Sequence, residues 1–316
     1  MKNLPRFALW ISLAVVGALC AAGSYLTQSQ SITSVSASAV AAQDQPPPTP
    51  DQGQDPAQAN VAPSGPSYTT QAPPAPDQMG VAPEPGDQDY GEQPTETATE
   101  APPPLPDYDQ PPAPGDGYIW TPGYWAWGPG GYFWVPGAWV EPPYMGALWT
   151  PGYWGFYGGR YLFYPGYWGL HIGFYGGINY GFGYVGFGYE GGYWNGGHFF
   201  YNRVYNNVNV RTVHNVYSYH ANVHVNTASR ASYRGPSGVQ SSPRPAERAA
   251  WHEPTAPRMN TQVQHAQTYQ SRPGQQASHN NGRPATPAVS RPIPAQRNVT
   301  PTVRSGGQSG GGKGRH

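Results

Sequence analysis

WTPGYW at Trp120–Trp125 returns as WVPGAW at Trp134–Trp139, as WTPGYW at Trp149–Trp154 and as FYPGYW at Phe163–Trp168. The first rings stand 14, 15 and 14 residues apart, and four copies at near-constant spacing mark a repeated structural unit. Two residues ahead of each first ring stand Tyr118, Tyr132, Ala147 and Tyr161. Alternation of the type Tyr-x-Trp is a strand pattern, and aromatic residues favour strands. Length varies only in the connectors GPGG (128–131), EPPYMG (141–146) and YGGR (157–160), so the turns belong there. The expectation is an antiparallel meander of four strands, each about nine residues long.

Pro-Gly then falls in mid-strand, where proline is normally confined to edges or bulges. One extra residue at Pro122-Gly123 would put Tyr118, Trp120, Trp125 and Trp127 on one aromatic face. The rival geometry makes Pro-Gly a type II turn between very short strands.

Beyond the repeats, 169–200 alternates rings with glycine, which places Tyr180, Phe182 and Tyr184 on one side of a further strand. Residues 204–226 carry valines at 208, 210, 213, 216, 223 and 225 and read as one or two polar strands. On a strand, His220 and His224 would lie about 13 Å apart, too far for a shared metal. His171 and His198 read as hydrogen-bonded structural residues, and no metal or cofactor is expected.

Composition confines any core to the centre. Glycine and proline make up 81 of 316 residues, close to the share of about 25–30% seen in low-complexity chains. Nine of the eleven tryptophans lie between Trp120 and Trp194, so rings must replace the scarce aliphatics there. The zero net charge hides two arms. Residues 43–117 hold 13 acidic and no basic side chains, whereas 203–316 hold 14 Lys/Arg against Glu247 and Glu253. Such arms should attract one another, less so in salt. The fold class expected is a mostly disordered chain with a central all-β aromatic block. Its parts are an N-terminal export segment (1–42), an acidic Pro-rich linker (43–117), the four repeats (118–168), a Gly/Tyr- and Asn/Val-rich β segment (169–225) and a basic low-complexity tail (226–316).

MKNLPRFALWISLAVVGALCAAGSYL opens with Lys2 and Arg6 and then runs without charge to Asp44. This is the pattern of a signal peptide, with small-residue cleavage sites near Ala39–Ala42. Phe7–Leu26 is also long enough to span a bilayer of about 30 Å if left uncleaved. Leu19 before Cys20 does not suit lipidation, and a chain starting near Gln43 would have no cysteine for disulfides. The acidic arm reads as an extended spacer. The spaced arginines of the tail lack interleaved aromatics, and with export this argues against a nucleic-acid partner.

The copies WTPGYW, WVPGAW and WTPGYW, with GGINYGFGYVGFGYEGGYW, HFFYNRVYNNVN and RASYRGPSGV, resemble the bacterial WXXGXW (also written YXWGXW) repeat proteins over roughly 118–240. The Phe163 copy departs from the pattern. The resemblance implies export to the bacterial envelope and no established enzymatic activity.

No repeated Ser-His-acid or thiol arrangement appears, so an enzyme is not expected. A structural or interaction role in the periplasm, envelope or extracellular space is the first reading, with self-association through the arms. The alternative is a glycan-stacking platform made by Trp120, Trp125, Trp134, Trp139, Trp149, Trp154, Phe163 and Trp168. Partners would then be an envelope glycan or a second copy, with the membrane reached only through an uncleaved N-terminal segment. The contrary expectation is that these rings are the core, because they are the main apolar area available.

Overall fold

The structure, a computed structural model, describes residues 55–63, 93–222, 230–296 and 299–303. The export segment, Cys20, most of the acidic linker, His224 and the last residues of the tail lie outside the described residues. Among the described residues no helix is long and apolar enough to cross a membrane.

Strand β1 (Glu96–Ala98) precedes the repeats, and the first two copies form β2 (Ile119–Thr121), β3 (Tyr124–Gly128), β4 (Gly131–Val135) and β5 (Ala138–Val140). They fold as one long antiparallel hairpin with a gap. Trp120 faces Trp139 and Thr121 faces Ala138; beyond the gap Tyr124 faces Val135 and Trp125 faces Trp134. Copies three and four repeat this as β6 (Leu148–Thr150), β7 (Tyr153–Tyr157), β8 (Arg160–Tyr164) and β9 (Tyr167–Gly169), with Trp149 facing Trp168 and Trp154 facing Phe163.

The register explains the motif. Read antiparallel, WxPGxW meets itself with ring against ring and proline against glycine. A ring at each end is needed because the first ring of one copy packs on the last ring of its partner.

The expected one-residue bulge is not what changes the phase. Both strands leave the ladder for two residues, Pro122-Gly123 opposite Pro136-Gly137, so neither gains a residue on the other. Trp120 and Trp125 still reach the same core, with Tyr118 and Trp127 packed against it. Nor is Pro-Gly a type II turn: that turn needs positive φ at its third position, and none of the four motif glycines has it. Proline has no N–H to place in a ladder, which makes this dipeptide the natural place to break one. Several polar groups of the gaps find partners elsewhere. Gly123 N–H donates to the Tyr108 hydroxyl at 3.1 Å, Gly137 N–H to Pro287 O at 3.1 Å, and the Tyr180 hydroxyl to Gly152 O at 2.6 Å.

Shorter pieces follow: β10 (Asn179–Gly181) with β11 (Tyr184–Val185), and the hairpin β12 (Gly192–Asn195) with β13 (His198–Asn202), joined in parallel by β14 (Val216–Tyr217). The glycine-rich run is therefore no continuous strand. Gly181, Phe182 and Gly183 all have positive φ and turn the chain sharply between β10 and β11. Among the described residues of the valine-rich run, which end at 222 and leave Val223 and Val225 outside, only Val216–Tyr217 is strand; Asn202 and Asn209 accept from backbone N–H groups two residues on and hold turns instead.

The described parts of the two arms, expected as free linker and disordered tail, pack on this block. β1 extends the edge of β8, β15 (Tyr233–Arg234) runs parallel to β7, and β16 (Ala256–Pro257) pairs with β9. The sheets become β1-β8-β7-β15 and β16-β9-β6. Helices α1 (Pro245–Trp251), α2 (Asn260–Gln270) and α3 (Ala277–Asn280) also lie in the second arm. The physical reason is on the block itself. Its hairpins have open edges, which need covering, and its buried indoles need acceptors. Extended proline-rich chain carries carbonyls with no internal partner. Trp125 Nε1 donates to Pro104 O at 3.2 Å, Trp139 Nε1 to Pro111 O at 2.8 Å and Trp134 Nε1 to Pro287 O at 2.9 Å.

Candidate functional site

The eight repeat rings come together as four pairs. Trp120–Trp139 and Trp125–Trp134 have centroids 5.4 and 5.2 Å apart; Trp149–Trp168 and Trp154–Phe163 are 5.1 and 5.2 Å apart. The pairs are edge-on or tilted, the geometry that ring quadrupoles favour. None of the eight is more than 5% exposed. They offer no surface for stacking on a glycan, so the platform reading is set aside for them and the core reading stands. The hairpins lock together through the same rings. Tyr124 stacks on Phe163 at 5.4 Å, and Trp154 Nε1 donates to Trp125 O at 2.7 Å. The buried Tyr184 hydroxyl lies within hydrogen-bond reach of Trp120 O (3.2 Å) and Trp149 O (3.0 Å), the equivalent carbonyls of the two hairpins.

Each motif glycine lies under the first ring of its partner copy. A Cβ at Gly137 would stand 2.7 Å from Cζ2 of Trp120, and one at Gly152 2.9 Å from Cζ of Phe163. At Gly123 it would run into Trp134, and at Gly166 into Trp149. Glycine is required for close approach here, not for its φ.

The accessible chemistry lies elsewhere, in a cleft of about 230 Å³ where four segments converge. Leu105–Tyr108 of the acidic arm form one side and the turn Asn179–Phe182 the other; Gly123 and Trp134 lie at the repeat and Arg230 comes from the second arm. Tyr108 and Phe182 are half-buried and tilted at 45° with centroids 5.2 Å apart. Tyr108 also lies edge-on to Trp134, and Phe182 edge-on to Trp120. Burial pushes the Tyr108 hydroxyl well above its ordinary pKa, so it stays protonated. At the rim, Arg230 Nη1 is 3.4 Å from Asp107 Oδ1, with the two side chains 45% and 95% exposed. Arg230 Nε donates to Leu105 O at 2.6 Å, and Leu105 N–H donates back to Arg230 O at 2.8 Å. That double link fixes the guanidinium to the arm it meets.

Composition alone does not pick out this cleft. Tyr108, a lone ring in the proline-rich arm, and Phe182, a bulky residue between two glycines, were the available signals.

Two buried carboxyls lie apart from the cleft. Burial, with Asp55 nearby, pushes Glu190 up to about 8, and burial pushes Glu247 up to about 7 against the pull of Arg244 and Arg248. His220 is exposed, and His224 lies outside the described residues.

Paired aromatic hairpins built from one six-residue motif define an aromatic-repeat β protein. Residues 115–140 match the family model of the WXXGXW repeat, in two copies, and the chain is a WXXGXW-repeat-containing protein. No curated protein and no solved structure matches it.

Proposed function

We propose that this chain is an exported bacterial envelope protein whose aromatic repeats have a non-catalytic, structural or interaction role. The observation that carries this is the burial of all eight repeat rings, which supports a folding role for the motif over a reacting surface. A mature chain without cysteine cannot use disulfides, and interlocked ring pairs tied to the arms take that part. Export rests on the basic-then-apolar opening and the small residues near Ala39–Ala42. The envelope assignment rests on the resemblance of the repeats.

The test is fractionation of bacterial cells expressing the chain from Met1, followed by mass analysis of the purified product. The expected product is in the periplasmic or membrane fraction, cut near Gln43 or retained by its first segment. A cytoplasmic product with residues 1–42 intact overturns the export reading. Turnover of envelope glycans, abolished by one carboxylate substitution, overturns the non-catalytic one.

A further inference from the structure

We propose that the cleft between the acidic arm and the Asn179–Phe182 turn binds one neutral sugar ring, a hexopyranose unit held against Phe182 and Tyr108. This goes beyond the scaffold reading, and it uses none of the eight repeat rings as an exposed surface.

Backbone geometry is the first argument. Phe182 has φ +53°, between Gly181 at +76° and Gly183 at +93°. A bulky side chain in the left-handed region is strained, and such strain persists where surrounding structure imposes it, often at ligand sites. Here it sets the Phe182 ring beside Tyr108 as a half-buried wall.

Charge is the second. Asp107 and Arg230 stand 3.4 Å apart at the rim and cancel. An anion gains from Arg230 and loses to Asp107, and a cation does the reverse. A neutral, hydroxyl-rich ligand uses both: its hydroxyls donate to the Asp107 carboxylate and accept from the Arg230 guanidinium. One face of a pyranose presents C–H groups, which suit the electron-rich faces of the two rings.

Size is the third. The cleft is about 230 Å³, smaller than the roughly 300–1,000 Å³ typical of drug-sized sites. It takes one ring, either a free monosaccharide or one unit of a longer chain whose remainder stays in solvent.

The test is saturation-transfer NMR on the full chain with methyl glycosides of glucose, galactose, mannose and N-acetylglucosamine. Glucuronate and choline serve as charged controls. At least one neutral glycoside should bind saturably in the millimolar range, as expected for a single small ring. Asp107→Ala should weaken it about threefold to fivefold, the loss expected for a hydrogen bond to a solvent-exposed charge. Phe182→Gly should do the same while relieving the backbone strain. Both variants should keep the far-ultraviolet circular dichroism and the cooperative thermal unfolding of the parent, which separates loss of the site from loss of the fold. The proposal is overturned by any of three results: no neutral glycoside saturates, Asp107→Ala binds as the parent does, or a charged control binds more tightly than every neutral glycoside. None of these bears on export or on the scaffold role, which the fractionation tests separately.

Discussion

The Trp134 indole lies directly over Gly123, so close that a single added methyl group at 123 would also stand 2.7 Å from its Cε2 and 2.8 Å from Val135 O. The same relation holds at Gly137, Gly152 and Gly166 under the first rings of their partner copies. The motif thus couples its glycine to a ring on the other strand.

Gly123→Ala should therefore destabilise strongly, by about 3 kcal/mol or more, at or beyond the upper end of ordinary overpacking costs, because backbone and a packed indole both resist movement. Gly158→Ala makes the control. A Cβ there meets nothing within 4 Å, and only its φ of +56° is unfavourable, a cost of about 1 kcal/mol. Urea unfolding of the two variants measures the difference. Equal losses would remove the ring-over-glycine account.

Salt should leave the arms in place. Charge asymmetry suggests arms held by attraction, yet Arg230–Asp107 and His214–Asp116 are exposed or half-exposed, and the more buried His171–Glu253 pair is ionic only when the imidazole is protonated. Exposed pairs contribute about 0–1 kcal/mol each. The edge strands and the indole-to-proline bonds do not depend on ionic strength. In about 1 M salt, where screening acts within roughly 3 Å, tryptophan emission should keep its blue position. A red shift that follows salt concentration would return the arms to electrostatic control.

Stability should fall as pH rises across neutrality. Glu190 and Glu247 titrate near 8 and 7 in the folded chain against 4.5 ordinarily. Raised folded values mean that the folded state keeps protons the unfolded state has released. Their contribution is full below about pH 4.5 and is lost as pH climbs through about 7 and 8. Thermal unfolding followed from about pH 5 to 9 should show a declining midpoint that levels off at the top. Glu190→Gln, which cannot ionise, should flatten the upper part of that decline. A midpoint that rises over this window in the parent chain would contradict the assignment.

The repeats and their turns were legible in the sequence because the motif keeps one length in every copy while only the connectors vary. The matched gap was not, because counting parity along one strand cannot show that the facing strand breaks at the same place. Trp120 and Trp125 reach one core only because Pro136-Gly137 lies opposite Pro122-Gly123. The docking of the arms' described parts was not legible for a different reason. What fixes them is backbone, the carbonyls of Pro104, Pro111 and Pro287, and composition does not record a free carbonyl. Glycine alternation around Phe182 imitates a strand period, yet positive φ at Gly181 and Gly183 makes a tight turn. That turn carries half of the cleft. The other half is Asp107 and Tyr108, and Arg230 joins them from more than 120 residues away.

The most direct test of the central claim, that the repeat rings are a hydrogen-bonded core, is solvent exchange of the indole N–H protons followed by NMR. Trp125, Trp134, Trp139, Trp154 and Trp168 all donate to protein acceptors. Their protons should persist far longer than those of the urea-unfolded chain and be lost together, as expected when exchange needs cooperative opening of the core. Exchange of all five at the unfolded rate would show open rings and would contradict the account.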